Sequence, residues 1–151
     1  MVWKPHVTVA AIIEQDQRFL LVEEETPTGI AFNQPAGHLE PGESLIDAVK
    51  REVNEETAWQ FTPEYLTSIQ LWRKNLDSSS FMRVCFVGQC YDHNPEQALD
   101  EGIIRTHWLT YDEIVDHKSQ LRSPLVLTTI DQYLAGEHHP LALLKTFLDL
   151  E

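Results

Sequence analysis

The stretch from Leu45 to Thr57 constrains the fold more than any other part of this 151-residue chain. Leu45, Ile46, Val49 and Val53 recur at the spacing of one helical face, so they form an apolar stripe that has to be buried. Glu52, Glu55 and Glu56 border that stripe. At about 100° per residue, Glu52 and Glu56 stand about 40° apart, with Glu55 about 60° to the other side of Glu52. Asp47, Lys50, Arg51 and Asn54 fall on the opposite, solvated side. The chain must therefore lay this helix on a core and keep three carboxylates at the rim of it.

Three like charges within one turn repel by about 0.2–0.5 kcal/mol per exposed pair, and by more at an apolar boundary, unless a cation neutralises them. A cluster of hard oxygen donors suits Mg2+ or Mn2+, whereas zinc prefers nitrogen and sulfur. Spacing by itself also fits a solvated acidic face with Lys50 and Arg51 as ion-pair partners.

The flanking sequence supplies strands. Val7 to Ile13 is a β-branched run, Gln15-Asp16-Gln17 a turn and Arg18 to Glu23 a second strand. Pro27-Thr28-Gly29 marks a loop, and Ile30 to Pro35 leads into Ala36-Gly37-His38-Leu39-Glu40 and the Pro41-Gly42 turn. Ser44 caps the helix, with Asp47 in its first turn. Strands follow at Tyr65 to Lys74, Phe81 to Tyr91 and Ile104 to Leu109, with a polar loop from Asp92 to Gly102. Thr110 and Glu113 make a box-like helix start, and Ser123-Pro124 opens a last helix that runs to about Ala135 before Gly136. No repeat or linker divides the chain. It reads as one domain over 1–151, of α/β (α+β) class with a mixed sheet, 120–151 forming a C-terminal helical segment packed on it.

Charge and cysteine usage narrow the function classes. The 24 Asp and Glu outnumber the 11 Lys and Arg, for a net charge of -13, which argues against a nucleic acid polymer as partner because phosphate neutralisation needs clustered cations. A phosphorylated small molecule still fits if a bound metal supplies positive charge locally. Cys85 and Cys90, the only two cysteines, fall on opposite faces of a strand, so no mutual disulfide is expected and a cytoplasmic location suits them. The N-terminal residues lack a signal-peptide core, and no apolar run of 18 residues predicts a membrane span.

Upstream of the helix the spacing becomes specific. Gly37, five residues, Glu43, seven residues, then Arg51-Glu52-Val53-x-Glu55-Glu56-x-Ala58-Trp59 resembles the Nudix box, Gly-x5-Glu-x7-Arg-Glu-U-x-Glu-Glu-x-Gly-U with U apolar. Every position with a specified residue matches except one, where Ala58 stands in place of the final glycine. Trp3 to Ala10, Asn33 to Glu40 and Leu121 to Val126 are similar to a phosphatase branch of that family. The resemblance implies a Nudix α/β/α sandwich and hydrolysis of phosphoanhydride bonds in small pyrophosphorylated molecules, nucleoside tri- and diphosphates and hydroxymethylpyrimidine pyrophosphate among them. It further implies Mg2+, with Mn2+ as a substitute, held by Glu52, Glu55, Glu56 and the Gly37 carbonyl. Glu52 is the first choice to orient or deprotonate water, and Glu43 with Arg51 braces loop and helix. The expected assembly is a monomer or weak homodimer.

Other residues complete the expectation. Glu101 is the candidate loop carboxylate, with Asp100 competing for the role. Arg83, Arg73 and Lys4 are candidates for substrate phosphate, Trp72 and Phe32 for stacking a ring, and His6 and His38 for contacts near the site. Arg122 belongs to the resemblance without a physical role. Two other readings remain open, a Nudix-fold nucleotide-binding or sensing module without hydrolysis and a nucleotide pyrophosphatase releasing pyrophosphate. A left-handed Ala58 would cost about 1 kcal/mol, a matter of stability rather than activity.

Overall fold

Burial alternates along the first strand, and that alternation sets the layers. In the computed structural model, which describes residues 2–149, β1 spans His6–Ile12. Val9, Ala11 and the following Ile13 enter one core with Val49 and Val53 of helix α1 (Leu45–Thr57). Ile12 enters a second core with Ile114 of α2 (Tyr111–Asp116) and Ile130 of α3 (Leu125–Leu134). Strands β3 (Arg18–Thr26) and β7 (Ser80–Tyr91) obey the same parity: Leu20 and Phe86 face the first core, Leu21 and Val87 the second. Because side chains alternate across a strand, apolar runs without polar interruption are covered on both faces. Helix, strands and helices thus form the expected α/β/α sandwich.

The strands form two sheets rather than one. The mixed sheet runs β5 (Ala36–His38), β1, β7, β6 (Gln60–Arg73), β9 (His139–Pro140), with β1 and β7 parallel. The second is antiparallel: β2 (Glu14–Gln15), β3, β4 (Gly29–Asn33), with β8 (Ile103–Thr110) on the other edge of β3. Residues 30–35, expected only as a lead-in, are divided into β4 and the start of the approach to β5. Strand β6 begins five residues earlier than expected and carries Pro63 inside it, the ladder shifting register between Pro63 and Tyr65. Proline removes a ladder donor, and a bulge on a strand near the sheet edge accommodates it.

The C-terminal segment departs from expectation. Helix α3 stops at Leu134, Gly136 takes φ 81°, and residues 139–140 pair with Tyr65 and Leu66 of β6 before a single 3-10 turn at Leu141–Leu143. Gly136 and Pro140 end helical propagation, so among the described residues the segment from 120 onward carries a short strand pairing as well as helix. Cys90 lies in the first core, and Cys85 lies on the opposite face, both free. Among the described residues no helix is long and apolar enough to cross a membrane.

Both ends of α1 are defined. Ser44 Oγ accepts the Asp47 N–H at 3.0 Å, one of the donors a helix start leaves without a partner. At the other end Ala58 adopts φ 62°, the left-handed C-cap, and is only 2% exposed. Its N–H donates to Asn54 O at 2.9 Å, and its carbonyl accepts the Asn94 N–H at 3.0 Å.

Candidate active site

The loop from Asp92 to Gly102 is docked along the end of α1 by one backbone and one side-chain bond to α1 carbonyls. Asp100 N–H donates to Glu55 O at 2.9 Å, and Gln97 Nε2 donates to Asn54 O at 2.9 Å. These bonds bring the Asp100 carboxylate to α1, where oxygens of Glu52, Glu55 and Asp100 all lie within 4.8 Å of one another. Gly37 of β5 stands directly against this group, because a Cβ there would overlap the Glu52 carboxylate. Only glycine lets the strand approach so closely. The donors are all oxygen, so the residues fit a hard divalent cation.

Glu56 sits deeper than the other carboxylates of α1. Its Oε1 accepts the Ala36 N–H at 2.8 Å. Burial, with the charges of Glu52, Glu24 and Asp100 adding to it, pushes its pKa up to about 9 despite the Ala36 hydrogen bond. Burial likewise raises Glu52, partly offset by Arg51. In the absence of a cation Glu56 therefore favours its protonated form.

Arg51 binds the surrounding carboxylates together. Its Nε and Nη2 donate to Glu43 at 3.0 and 2.7 Å, Nη1 donates to Glu52 at 2.8 Å and to Glu55 at 3.2 Å, and Nη2 also reaches the His38 carbonyl at 2.9 Å. The Arg51 fork holds Glu43 below the usual carboxylate range. Helical angle alone placed Arg51 on the solvated side. Its long side chain instead folds over the acidic face, where four carboxylates attract it.

Beside Gly37 opens a cavity of about 410 Å³, walled by Glu24, Ala36, His38, Trp72, Lys74, Phe81, Arg83 and Arg122 among others. The Trp72 and Phe81 rings are 6.4 Å apart. Arg83 is 6% exposed, yet among the described residues its fork is bound only by neutral acceptors: Gln34 Oε1 at 2.7 Å, Thr129 Oγ1 at 3.0 Å and Asn33 Oδ1 at 3.3 Å, with Cys85 Sγ at 3.7 Å. Gln34 is itself pinned by donating to Val126 O at 2.8 Å, so α3 fixes the orientation of Arg83. A buried guanidinium without a carboxylate partner is a strong attractor for anions.

Several sequence candidates lie elsewhere. Arg73 is exposed and pairs across the ladder with Ser80, on the face opposite Trp72, and it lines no part of the cavity; Lys74, one position on, does. Lys4 is exposed ahead of β1 and also lies off the cavity. Glu101 is exposed on the turn that Gly102 (φ 91°) completes, while Asp100 occupies the position beside Glu52 and Glu55. Phe32 packs in the second core against His107 and His117 rather than on the cavity. His6 is an exposed ring stacked 5.1 Å from Phe81, whereas His38 reaches the cavity wall. Glu24 carries no local signal in the sequence, and it becomes a neighbour of Asn33 and the site through the pairing of β3 with β4, where Val22 faces Asn33.

A sandwich carrying this carboxylate helix defines a family, and a family model for the NUDIX domain matches residues 4–128. The chain belongs to the Nudix family and is a hydrolase of phosphoanhydride bonds. Among individual proteins, it is similar to the phosphatase NudJ of Escherichia coli K12, 37% identical over 145 residues that cover 96% of this chain and 94% of that protein. It is also similar to a NUDIX hydrolase structure from Nitrosomonas europaea, 48% identical with a TM-score of 0.92, covering 95% of this chain and 98% of that one. A MutT NUDIX hydrolase from Burkholderia pseudomallei, 18% identical with a TM-score of 0.73 over 86% of this chain and 98% of that one, shares the fold.

Proposed function

We propose that the protein is a Mg2+-dependent phosphatase of small pyrophosphorylated molecules, with nucleoside tri- and diphosphates and hydroxymethylpyrimidine pyrophosphate as its substrate range. The observation that carries this reading is the contiguity of an all-oxygen carboxylate cluster with a cationic, aromatic cavity through Gly37. A divalent cation bound there, Mg2+ or in its place Mn2+, would neutralise diphosphate oxygens and make water a stronger nucleophile.

The chain's own residues carry the remaining work. Glu52, Glu55 and Asp100 would hold the cation with the Gly37 carbonyl, and Glu56 would contribute from its buried position. Glu52 orients the attacking water and accepts its proton as the water oxygen bonds to phosphorus and the phosphorus–bridging oxygen bond breaks. Arg51 and Glu43 keep the acidic face in register. Arg83 attracts the anionic part of the substrate, and Trp72 presents a ring face to a planar group. We place this activity in the cytoplasm, in a monomer or weak homodimer acting on free small molecules.

The test is one screen of nucleoside tri- and diphosphates, hydroxymethylpyrimidine pyrophosphate and thiamine pyrophosphate with Mg2+, resolving orthophosphate from pyrophosphate. Orthophosphate release supports the phosphatase. Pyrophosphate with a monophosphate replaces it by a nucleotide pyrophosphatase, and binding without release of either product leaves a sensing module.

A further inference from the structure

Arg122 lines the cavity that opens beside Gly37, and the roles above leave it unused. Leu121 bridges to Phe32, and the Arg122 N–H donates to Phe32 O at 2.8 Å, so this loop is fastened by its backbone to the end of β4. The segment after it is fastened again by Gln34 Nε2 on Val126 O, at 2.8 Å. The Arg122 side chain is therefore not needed to hold the loop. It extends along the wall of the same cavity that Gly37 and Arg83 line.

Its contacts leave the guanidinium open. Nη1 donates to Glu24 Oε1 at 3.1 Å, with 46% of the Arg122 side chain exposed against 15% for Glu24. No second bond joins the pair, so the fork that suits two oxygens of a phosphate keeps its Nη2 and Nε donors unused among the described residues. Glu24 and Arg122 line the same cavity as Gly37, the residue that stands against the Glu52 carboxylate, so the pair shares its cavity with the edge of the acidic face. Charge accounting sharpens the contrast. In a chain of net charge -13, the cavity is lined by Lys74, Arg83 and Arg122 against Glu24 alone. Such a local reversal concentrates anions where the rest of the molecule repels them.

We propose that Arg122 is a substrate-binding residue whose guanidinium takes diphosphate oxygens left free by a cation bound at the carboxylate cluster. Glu24 tethers one nitrogen at the cavity wall, and the diphosphate takes the others. This rests on the hydrolase reading above, and it names a diphosphate as the group that the cationic wall recognises.

The test titrates methylenediphosphonate, a diphosphate that cannot be hydrolysed, into the Mn2+-loaded full chain, with Mn2+ affinity measured separately. Arg122→Ala is expected to weaken methylenediphosphonate at least fivefold and to raise KM by at least that factor, with Mn2+ affinity within twofold of wild type and partial recovery in Arg122→Lys. Weakening below fivefold overturns the proposal, as does weakening that tracks a parallel loss of Mn2+ affinity. Should Arg122→Ala not fold, Arg122→Gln, which keeps a hydrogen bond to Glu24, is read by the same criteria. Wild-type protein that binds Mn2+ but not methylenediphosphonate overturns the Arg122 role, whereas protein that binds neither overturns the hydrolase reading with it.

Discussion

The Glu55 carbonyl accepts the Asp100 N–H at 2.9 Å, and the same two residues meet again through their carboxylates beside Glu52. One backbone bond thus chooses which acid of the Asp100-Glu101 pair enters the cluster. Asp100→Asn is expected to lower divalent-cation affinity and turnover at least tenfold, while Glu101→Gln stays within twofold of wild type. Metal titration and steady-state kinetics on the two variants decide it, and an inert Asp100→Asn would return the role to Glu101.

Glu52→Gln and Glu56→Gln are expected to reduce turnover by three orders of magnitude or more with the fold intact by circular dichroism. Retained activity in both would sink the assignment of the carboxylate helix as the catalytic face.

Glu56 also makes the metal-free protein pH-sensitive. Its folded pKa is raised to about 9 from an ordinary 4.5, so the folded state holds its proton more tightly than the unfolded chain does. The stability it contributes is complete below about pH 4.5 and is lost as pH rises towards 9. In the presence of a chelator, Tm is expected to fall across that window, and less steeply in Glu56→Gln, which should melt higher than wild type at pH 8. Cation affinity should rise with pH over the same range, because binding displaces the proton. A chelated wild type and Glu56→Gln with parallel pH profiles would contradict this.

Arg51 neutralises a face that otherwise carries Glu40, Glu43, Glu52 and Glu55 within its reach. Removing it leaves those carboxylates to repel one another in partly buried surroundings. Arg51→Ala is expected to destabilise the metal-free protein by about 2 kcal/mol, or roughly 4–8 °C in Tm. Added Mg2+ should return part of that loss. A Tm within 1 °C of wild type, about what a weak surface ion pair would cost, would remove the brace.

Ala58 holds a left-handed conformation at the end of α1. Glycine there relieves about 1 kcal/mol of strain but gives up a buried methyl of similar worth, so the gain is at most a few degrees. Ala58→Gly is expected to move Tm while leaving turnover within twofold. A several-fold gain in turnover at unchanged Tm would show that the residue limits catalysis.

The helix and its Ser44 cap were legible in sequence, because each depends on neighbours within a few positions. Gly37, Ala58 and the ligand candidates Glu52 and Glu55 could be named only through the resemblance to the Nudix box. Arg73 and Lys4 lie off the cavity because strand parity and chain direction, not residue type, decide which cation faces it. Lys74 and Arg122 were left without a role by the same blindness. Phe32 looked equally suited to stacking, and only its packing against His107 and His117 showed it to be core.

By itself, then, the sequence determined the carboxylate helix, the chemistry of its donors and the family, since periodicity and residue spacing are local properties of the chain. The tertiary structure alone decided which loop acid completes the cluster, how Arg83 is buried without a carboxylate and where Arg122 points. Each of those depends on contacts between residues 45 or more positions apart, whose register is set by strand pairing and helix docking that no local pattern encodes.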